Sequence, residues 1–591
     1  MTARWGWLLG AFLGGAFAQT LDNRSLAGRY YFRHLFQAAD ETRSLLGALT
    51  FDGNGGYTFT GQQNVGSAAA SVVTGSGTYT VSPAGMVAMT NPARPSLVLN
   101  ARLGTGALVG FTTETIENIF DLIVAVPAPV SAASLSGTYW AAGFELGSLR
   151  NSFFLLRSNG LGGFLELTVS GHAAGRQAGA PFNESVRGGT YLLSADGSGT
   201  ATFPGSALLA SNKLIYLSRD GNILLGGSTA AGAHDLLIAI KAMPGSLSNL
   251  NWKDRFWGAG LRLDGRTWSA FAGAAAADGA GKLVWSQRVR QTGSAAIDFT
   301  GAVPYVVNSD GSGRALAART AIGAAGDAFL GSTVAAESPG VYELYLGVRM
   351  PAVSGTGVFL NPQGVVNTAS FAPVGAAVSP GQFVGLFGSG LAPRSETAQS
   401  TTFPTTLAGV SVLINNVTTP LYFVSPTQIS ALVPFATQGP RASIVVNNNG
   451  TRSNAVEVSV AATSPGVFSL SQTGTGLGAV LHADFGVVNY ARPARRGEIL
   501  LVFLTGLGAV SPAVADGAPG PANPLSRTTQ LPTVRLGGRV CELLYSGLAP
   551  GFAGLYQLNI RVPSNAPLGT LPLSIETAEH FTDMVDVPVV P

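Results

Sequence analysis

Apolar and polar residues alternate over short runs through most of this chain, as in Tyr57-Thr58-Phe59 and Leu344-Tyr345-Leu346-Gly347-Val348. A period of two puts alternate side chains on opposite faces of a strand, one buried and one wet. Asp-Gly and Asn-Gly punctuate the runs, and these dipeptides are the strongest short-range hairpin signal. The pattern predicts an all-β protein of short antiparallel strands. No run of 18 or more apolar residues follows the N-terminal segment, so no transmembrane span is expected.

The runs recur in units. The first opens at Leu26, Gly28 and Tyr30, the second at Leu135, Gly137 and Tyr139, the third, more loosely, near Trp252 and Phe256. Each then carries a Gly-rich hairpin signal, at Asp52-Gly53-Asn54-Gly55, Asn159-Gly160 and Asp278-Gly279. Each has a central strand start at Tyr79, Tyr191 or Tyr305, 112 and 114 residues apart. Each closes on an apolar strand followed by Pro127, Pro244 or Pro351. The Leu-x-Gly-x-Tyr opening loosely resembles the first strand of small lipocalin-like barrels, and a β-sandwich is the alternative. Self-similarity at such a period is read before anything else.

A different duplication follows. Gly381-Gln382 and Ser389-Gly390-Leu391 match Gly497-Glu498 and Thr505-Gly506-Leu507, and Gln428-Ile429 with Val433-Pro434 match Gln557-Leu558 with Val562-Pro563. Short strands and Pro-rich turns there read as Ig-like β-sandwiches. The expected organisation is a signal peptide at 1–18, β-repeats at 24–130, 131–247 and 248–352, a Gly/Ser-rich linker at 353–363, and Ig-like domains at 364–468 and 469–591. The fold class is thus three tandem antiparallel β-barrel or β-sandwich repeats followed by two Ig-like β-sandwich domains.

The signal peptide rests on Arg4, the apolar run from Trp5 to Phe17, and Ala16-Phe17-Ala18, which fits the small-x-small cleavage rule. Cleavage after Ala18 would make the protein secreted or cell-surface.

Several separated motifs carry a family resemblance. They are Val366-Asn367-Thr368-Ala369-Ser370-Phe371, Ser379-Pro380-Gly381, Phe387-Gly388-Ser389-Gly390-Leu391, Arg496-Gly497-Glu498 and Gly554-Leu555-Tyr556-Gln557-Leu558-Asn559. Residues ~360–590 resemble the Solibacter-type uncharacterised C-terminal domain family of secreted acidobacterial proteins. The resemblance implies location and architecture, and no activity.

Composition narrows the chemistry. Charged residues are only 11% of the 591, the formal net charge is +3, and Gly and Pro number 78 and 33. So small an excess over so long a chain argues against nucleic acid as a partner. The single cysteine, Cys541, excludes an internal disulfide framework and a Cys-based zinc cluster. The five histidines are scattered, with no metal-ligand spacing, and no nucleophile elbow occurs. His482-Ala483-Asp484 can set a carboxylate beside an imidazole, although an exposed loop is the plainer reading. The Asp-Gly loops at Asp52, Asp196 and Asp310 have too few oxygen donors for a calcium loop. No catalytic residue, metal ligand or cofactor is assigned.

Tryptophan supplies the one binding hint. Trp252, Trp257, Trp268 and Trp285 all lie in the third repeat. Trp suits stacking on flat apolar ligands, and core packing is the competing use. The four are taken as candidate ligand-binding residues, with a glycan or a surface protein as the partner. The functional expectation is a secreted, non-catalytic, multidomain β-protein for extracellular binding, adhesion or scaffolding. The alternatives are a small-ligand carrier with lipocalin-like barrels and an extracellular polysaccharide hydrolase.

Overall fold

The computed structural model describes residues 20–112, 117–174, 180–315, 318–334 and 339–591. The expected signal peptide lies outside them. The protein is all-β, and among the described residues the helices are three short 3-10 turns. None is long and apolar enough to cross a membrane.

The N-terminal repeats are barrels. In the first, eight strands follow chain order from Gly28–Gln37 to Phe120–Pro127, and the last pairs with the first. Closure removes the sheet edges that would otherwise recruit other strands. The third closes in the same way, through Lys253–Asp264 with Val341–Arg349 and Lys282–Gln291 with Ile297–Val307. In the second, the fourth strand is split into Phe182–Val186 and Thr190–Leu193. The break falls at Gly188-Gly189, and each half keeps its neighbour, Leu167–Ala173 or Ser198–Thr202.

The spaced tyrosines have one role. Tyr79 Oη donates to Asn23 O at 2.9 Å, Tyr191 Oη to Leu135 O at 3.1 Å, and Tyr305 Oη to Trp252 O at 2.7 Å. Each phenol ties its barrel's fourth strand to the segment that leads into that barrel. A buried phenol needs such a partner, which is why tyrosine recurs at this position.

The opening and closing strands are buried on both faces, and the packing explains it. In Gly28–Gln37, Tyr30, Phe32 and Phe36 fill the barrel interior. Tyr31 and Leu35 point the other way, into a core shared by all three barrels. Trp140, Phe144 and Ile238 of the second barrel and Trp257, Leu344 and Leu346 of the third meet there. Full burial of each such side chain contributes about 1.5–3 kcal/mol, so the core holds the barrels to one another.

The barrels form a ring in which each meets the next alike. Tyr31, Trp140 and Trp257 occupy equivalent places on the three opening strands. Tyr31 Oη donates to Asp196 Oδ2 at 2.8 Å in the second barrel, and Trp140 Nε1 to Asp310 O at 3.2 Å in the third. The Trp257 indole lies against Gly85 of the first. Gly85, Gly197 and Gly311 sit in the three facing turns at φ of +89°, +83° and +84°, a conformation that favours glycine. The strand ends repeat the cycle. Arg219 N donates to Pro127 O and Thr105 N to Arg349 O, both at 2.8 Å, and Ala242 bridges to Gly323.

Two sandwiches follow. The first faces a sheet ordered Phe359–Asn367, Phe383–Ser389, Gln428–Leu432, Leu421–Val424, Glu396–Thr397 against one built on Val410–Ile414 and Arg441–Asn448. The stretch read as a linker therefore gives up its second half to a strand, because Phe359 and Leu360 are buried. In the second sandwich, Ile499–Thr505, Tyr556–Arg561 and Glu542–Leu548 pack on Thr533–Leu536, Gly569–Glu576 and His580–Val590. His580–Val590 also runs parallel to Ile297–Val307, from Asp298 opposite His580 to Gly301 opposite Asp583. The third barrel and the last sandwich thus share one sheet, which alternation within either could not announce.

Asn367 explains one motif. Its Nδ2 donates to Ser464 O at 3.1 Å, and its Oδ1 accepts from Ala369 N at 2.9 Å and Ser370 N at 3.3 Å. It joins the first sandwich to the segment that opens the second.

Candidate functional site

The titratable groups go mostly to structure. Asp52 Oδ1 accepts from the backbone N–H of Asn54, Gly55 and Gly56 at 2.7–3.0 Å. Those bonds hold its carboxyl below the usual range. Asp196 and Asp310 each accept from the backbone and hydroxyl of the serine two residues on. These Asp-Gly loops are self-satisfied hairpin turns. Burial pushes the Cys541 thiol up to about 12, so it is not a nucleophile at neutral pH.

The histidines stay apart. His34 Nε2 pairs with Asp121 at 2.9 Å inside the first barrel, where Asn91 and Thr112 also bond Asp121. His234 sits between the first two barrels, against Ser44 and Gly66 O. His172 meets Thr333 O at 3.0 Å between the second and third. His580 lies at the shared sheet, 3.2 Å from Thr300 Oγ1. Among the described residues, no three His, Cys, Asp or Glu side chains cluster to hold a metal ion.

A cleft of about 80 Å³ opens where the barrels meet, lined by Thr105 and Gly106 of the first, Asp220 and Asn222 of the second, and Asp327 of the third. Its two carboxylates are already engaged. Asp220 accepts from Ser218 Oγ at 2.6 Å and from Asn222 N at 3.1 Å, while Asp327 lies 3.2 Å from Arg349.

The four tryptophans do not form one surface. Trp252 is 1% exposed inside the third barrel, against Tyr305 and Phe329. Trp257 is 0% exposed in the shared core. Trp268 is half-buried between Phe120 of the first barrel and Phe144 of the second. Trp285 is half-buried and stacks on Phe299, which stacks in turn on Phe581 of the last sandwich. Large indoles go where several units must be filled at once, so here core packing outweighs ligand stacking.

The prominent exposed aromatics lie elsewhere, in the second sandwich. Phe552 is 60%, Phe485 71% and Tyr490 70% exposed, and the last two belong to one loop. Those two stand on two adjoining turns between the strands Val480–His482 and Ala494–Arg495. Phe485 N donates to His482 O at 2.9 Å and His482 N to Gly486 O at 2.8 Å, closing the first turn. Asn489 Oδ1 accepts from Ala491 N and Arg492 N, closing the second. Arg492 Nη2 donates to Asp484 Oδ2 at 2.7 Å and ties the turns together. That bond draws the Asp484 carboxyl down to about 2.

His482 is buried behind the turns, with Nδ1 2.5 Å from Glu498 and Nε2 3.3 Å from Arg492 O. The imidazole thus pairs with Glu498, and Asp484, two residues along the chain, pairs with arginine. The sequence signal for this site was faint: Asp484-Phe485-Gly486 and Asn489-Tyr490 look like ordinary turns until exposure is known.

No family model matches the chain, and no curated protein does. Solved structures give distant likenesses. The Bacteroides ovatus mixed-linkage glucan utilization locus protein SGBP-B, in complex with a mixed-linkage heptasaccharide, is 12% identical over 47% of this chain and 54% of its own, with a TM-score of 0.19. The Gamma-CGTASE from alkalophilic Bacillus clarkii is 10% identical over 68% of this chain and 41% of its own, with a TM-score of 0.14. The Plexin A4 full extracellular region is 7% identical over 93% and 80%, with a TM-score of 0.13. The chain matches about half the length of the first two or less, and likeness at this level carries no argument.

Proposed function

We propose that this is a secreted, non-catalytic scaffold that binds at the cell surface or in the extracellular matrix. One observation carries the reading: among the described residues, each barrel interior is occupied by a cluster of its own buried apolar side chains. Phe32, Phe36, Leu49 and Phe59 fill the first, Phe154, Phe164 and Phe203 the second, and Trp252, Phe256 and Phe329 the third. These occupy the volume that a carried ligand would need, so the barrels act as rigid spacers rather than containers. A shared core and a shared sheet then lock the units, which suits presentation of surface loops at fixed separations.

Export by cleavage after Ala18, and kinship of residues ~360–590 with the Solibacter-type family, belong to the same proposal. Expression with residues 1–18 intact should yield a secreted chain beginning at Gln19, read by N-terminal sequencing. The purified chain should sediment with whole cells or isolated extracellular matrix. A chain retained inside the cell, or one that stays wholly in the supernatant, would overturn the reading.

A further inference from the structure

From the loop that carries Phe485 and Tyr490, we propose a binding site for a neutral carbohydrate, with the two rings stacking on the apolar faces of pyranose units. The inference deepens the extracellular-binding reading and rests on it.

Three features point to the loop. First, the rings are presented, not left over. Phe485 holds a φ of +64°, in the left-handed region that bulky residues avoid. Both turns are closed by backbone hydrogen bonds, and His482 and the Asp484–Arg492 pair brace them from behind and across. Two aromatics are therefore held in water on a rigid frame, whereas the tryptophans and most other large apolar side chains are at least partly covered. Val487, on the same loop, is 40% exposed.

Second, the polar groups beside the rings suit hydroxyls. Asp484 and Arg492 are both exposed and paired. A carboxylate with free lone pairs beside a guanidinium with free N–H groups accepts from one hydroxyl and donates to its neighbour. A pyranose offers a flat C–H face for the rings and vicinal hydroxyls for that pair.

Third, the charge selects among partners. Beside the rings Asp484 and Arg492 pair and cancel, which favours a neutral ligand there, while the exposed Arg495 and Arg496 follow farther along the chain.

The test is affinity electrophoresis of the full chain through gels containing soluble starch, hydroxyethyl cellulose or xylan, beside sedimentation with extracellular matrix. The wild type should be retarded by at least one polymer. Phe485→Ala with Tyr490→Ala should bind it at least tenfold more weakly at an unchanged melting temperature, since both rings are exposed. Tyr490→Phe should retain binding, because the ring and not its hydroxyl is used. No retardation by any of the three polymers, or equal retardation of the double variant, overturns the site. If the double variant still sediments with matrix, extracellular binding stands and the loop is not its site. If sedimentation is lost in the double variant but no polymer competes, a protein partner replaces the sugar and the proposal falls.

Discussion

Tyr31 of the first barrel reaches across to the second and donates its hydroxyl hydrogen to Asp196, to Oδ2 at 2.8 Å and to the backbone O at 3.0 Å. Its ring stacks on Tyr216 of the second barrel at 4.5 Å. Tyr31→Phe keeps the stack and loses the hydrogen bonds. A net hydrogen bond contributes about 0.5–1.5 kcal/mol, so the variant should lose about that much stability in denaturant unfolding. A loss of several kcal/mol would mean that the ring had moved.

Asp235 should matter more. It is buried between Arg33 of the first barrel and Lys213 of the second, with Arg33 Nε also donating to Asp235 O at 2.7 Å. Burial alone would raise its carboxyl, but Lys213 and Arg33 outweigh that and hold it below the usual carboxylate range. Asp235→Ala strands two buried cations, which costs about 3–5 kcal/mol. Chemical denaturation should register it, and proteolysis should open the segment between the first two barrels. Because the folded carboxyl is depressed, its stabilisation is present above the unfolded value of about 3.9. It is lost as pH falls through the folded one.

The shared sheet carries two groups that oppose each other with pH. Burial drives His580 down to about 4, and burial drives Asp583 up to about 6. Between about pH 6.5 and 4 the unfolded chain binds the histidine proton and the folded chain does not, so His580 lowers stability as pH falls. Asp583 lowers stability as pH rises from about 3.9 to 6, where only the unfolded carboxyl has ionised. Each slope approaches about 1.4 kcal/mol per pH unit. His580→Asn should therefore gain stability on acidification from pH 6.5 to 4 relative to wild type. Asp583→Asn should gain it on going from pH 4 to 6. Melting temperatures across that range check both, and identical profiles for all three proteins would contradict the burial of these groups.

Asn367→Ala should weaken the joint between the sandwiches. It removes the donor to Ser464 O and leaves the Ala369 and Ser370 amides without their acceptor. Unsatisfied buried groups cost about 1–3 kcal/mol. Denaturant unfolding should register a loss of that size, and an unchanged stability would mean that the Asn367 bonds are replaced by water.

Much of the architecture was legible in the residues. Alternation and Asp-Gly turns announced short antiparallel strands, and Tyr79, Tyr191 and Tyr305 marked one position in each of three repeats. These are local signals, because a strand's period and a turn's left-handed glycine depend only on neighbouring residues.

The candidate site was not legible in this way. Trp252, Trp257, Trp268 and Trp285 drew attention by residue type, yet a tryptophan reads the same in a core or on a surface. The two most exposed aromatics among the described residues turned out to be Phe485 and Tyr490, on a loop that His482-Ala483-Asp484 marked only obliquely. His482 found its carboxylate in Glu498, and Asp484 found its partner in Arg492, because a turn, not the chain spacing, sets which groups meet.

By itself, then, the sequence determined the all-β class, the threefold and twofold repeats, and a tyrosine at one central strand start in each N-terminal repeat. Only the tertiary structure decided that Tyr31, Trp140 and Trp257 each reach into the next barrel of a ring. The same is true of Asp298 to Gly301 lying beside His580 to Asp583. The physical reason is range: burial and partner choice depend on residues hundreds of positions away, and nothing in a strand's own period records which surface will cover its outer face.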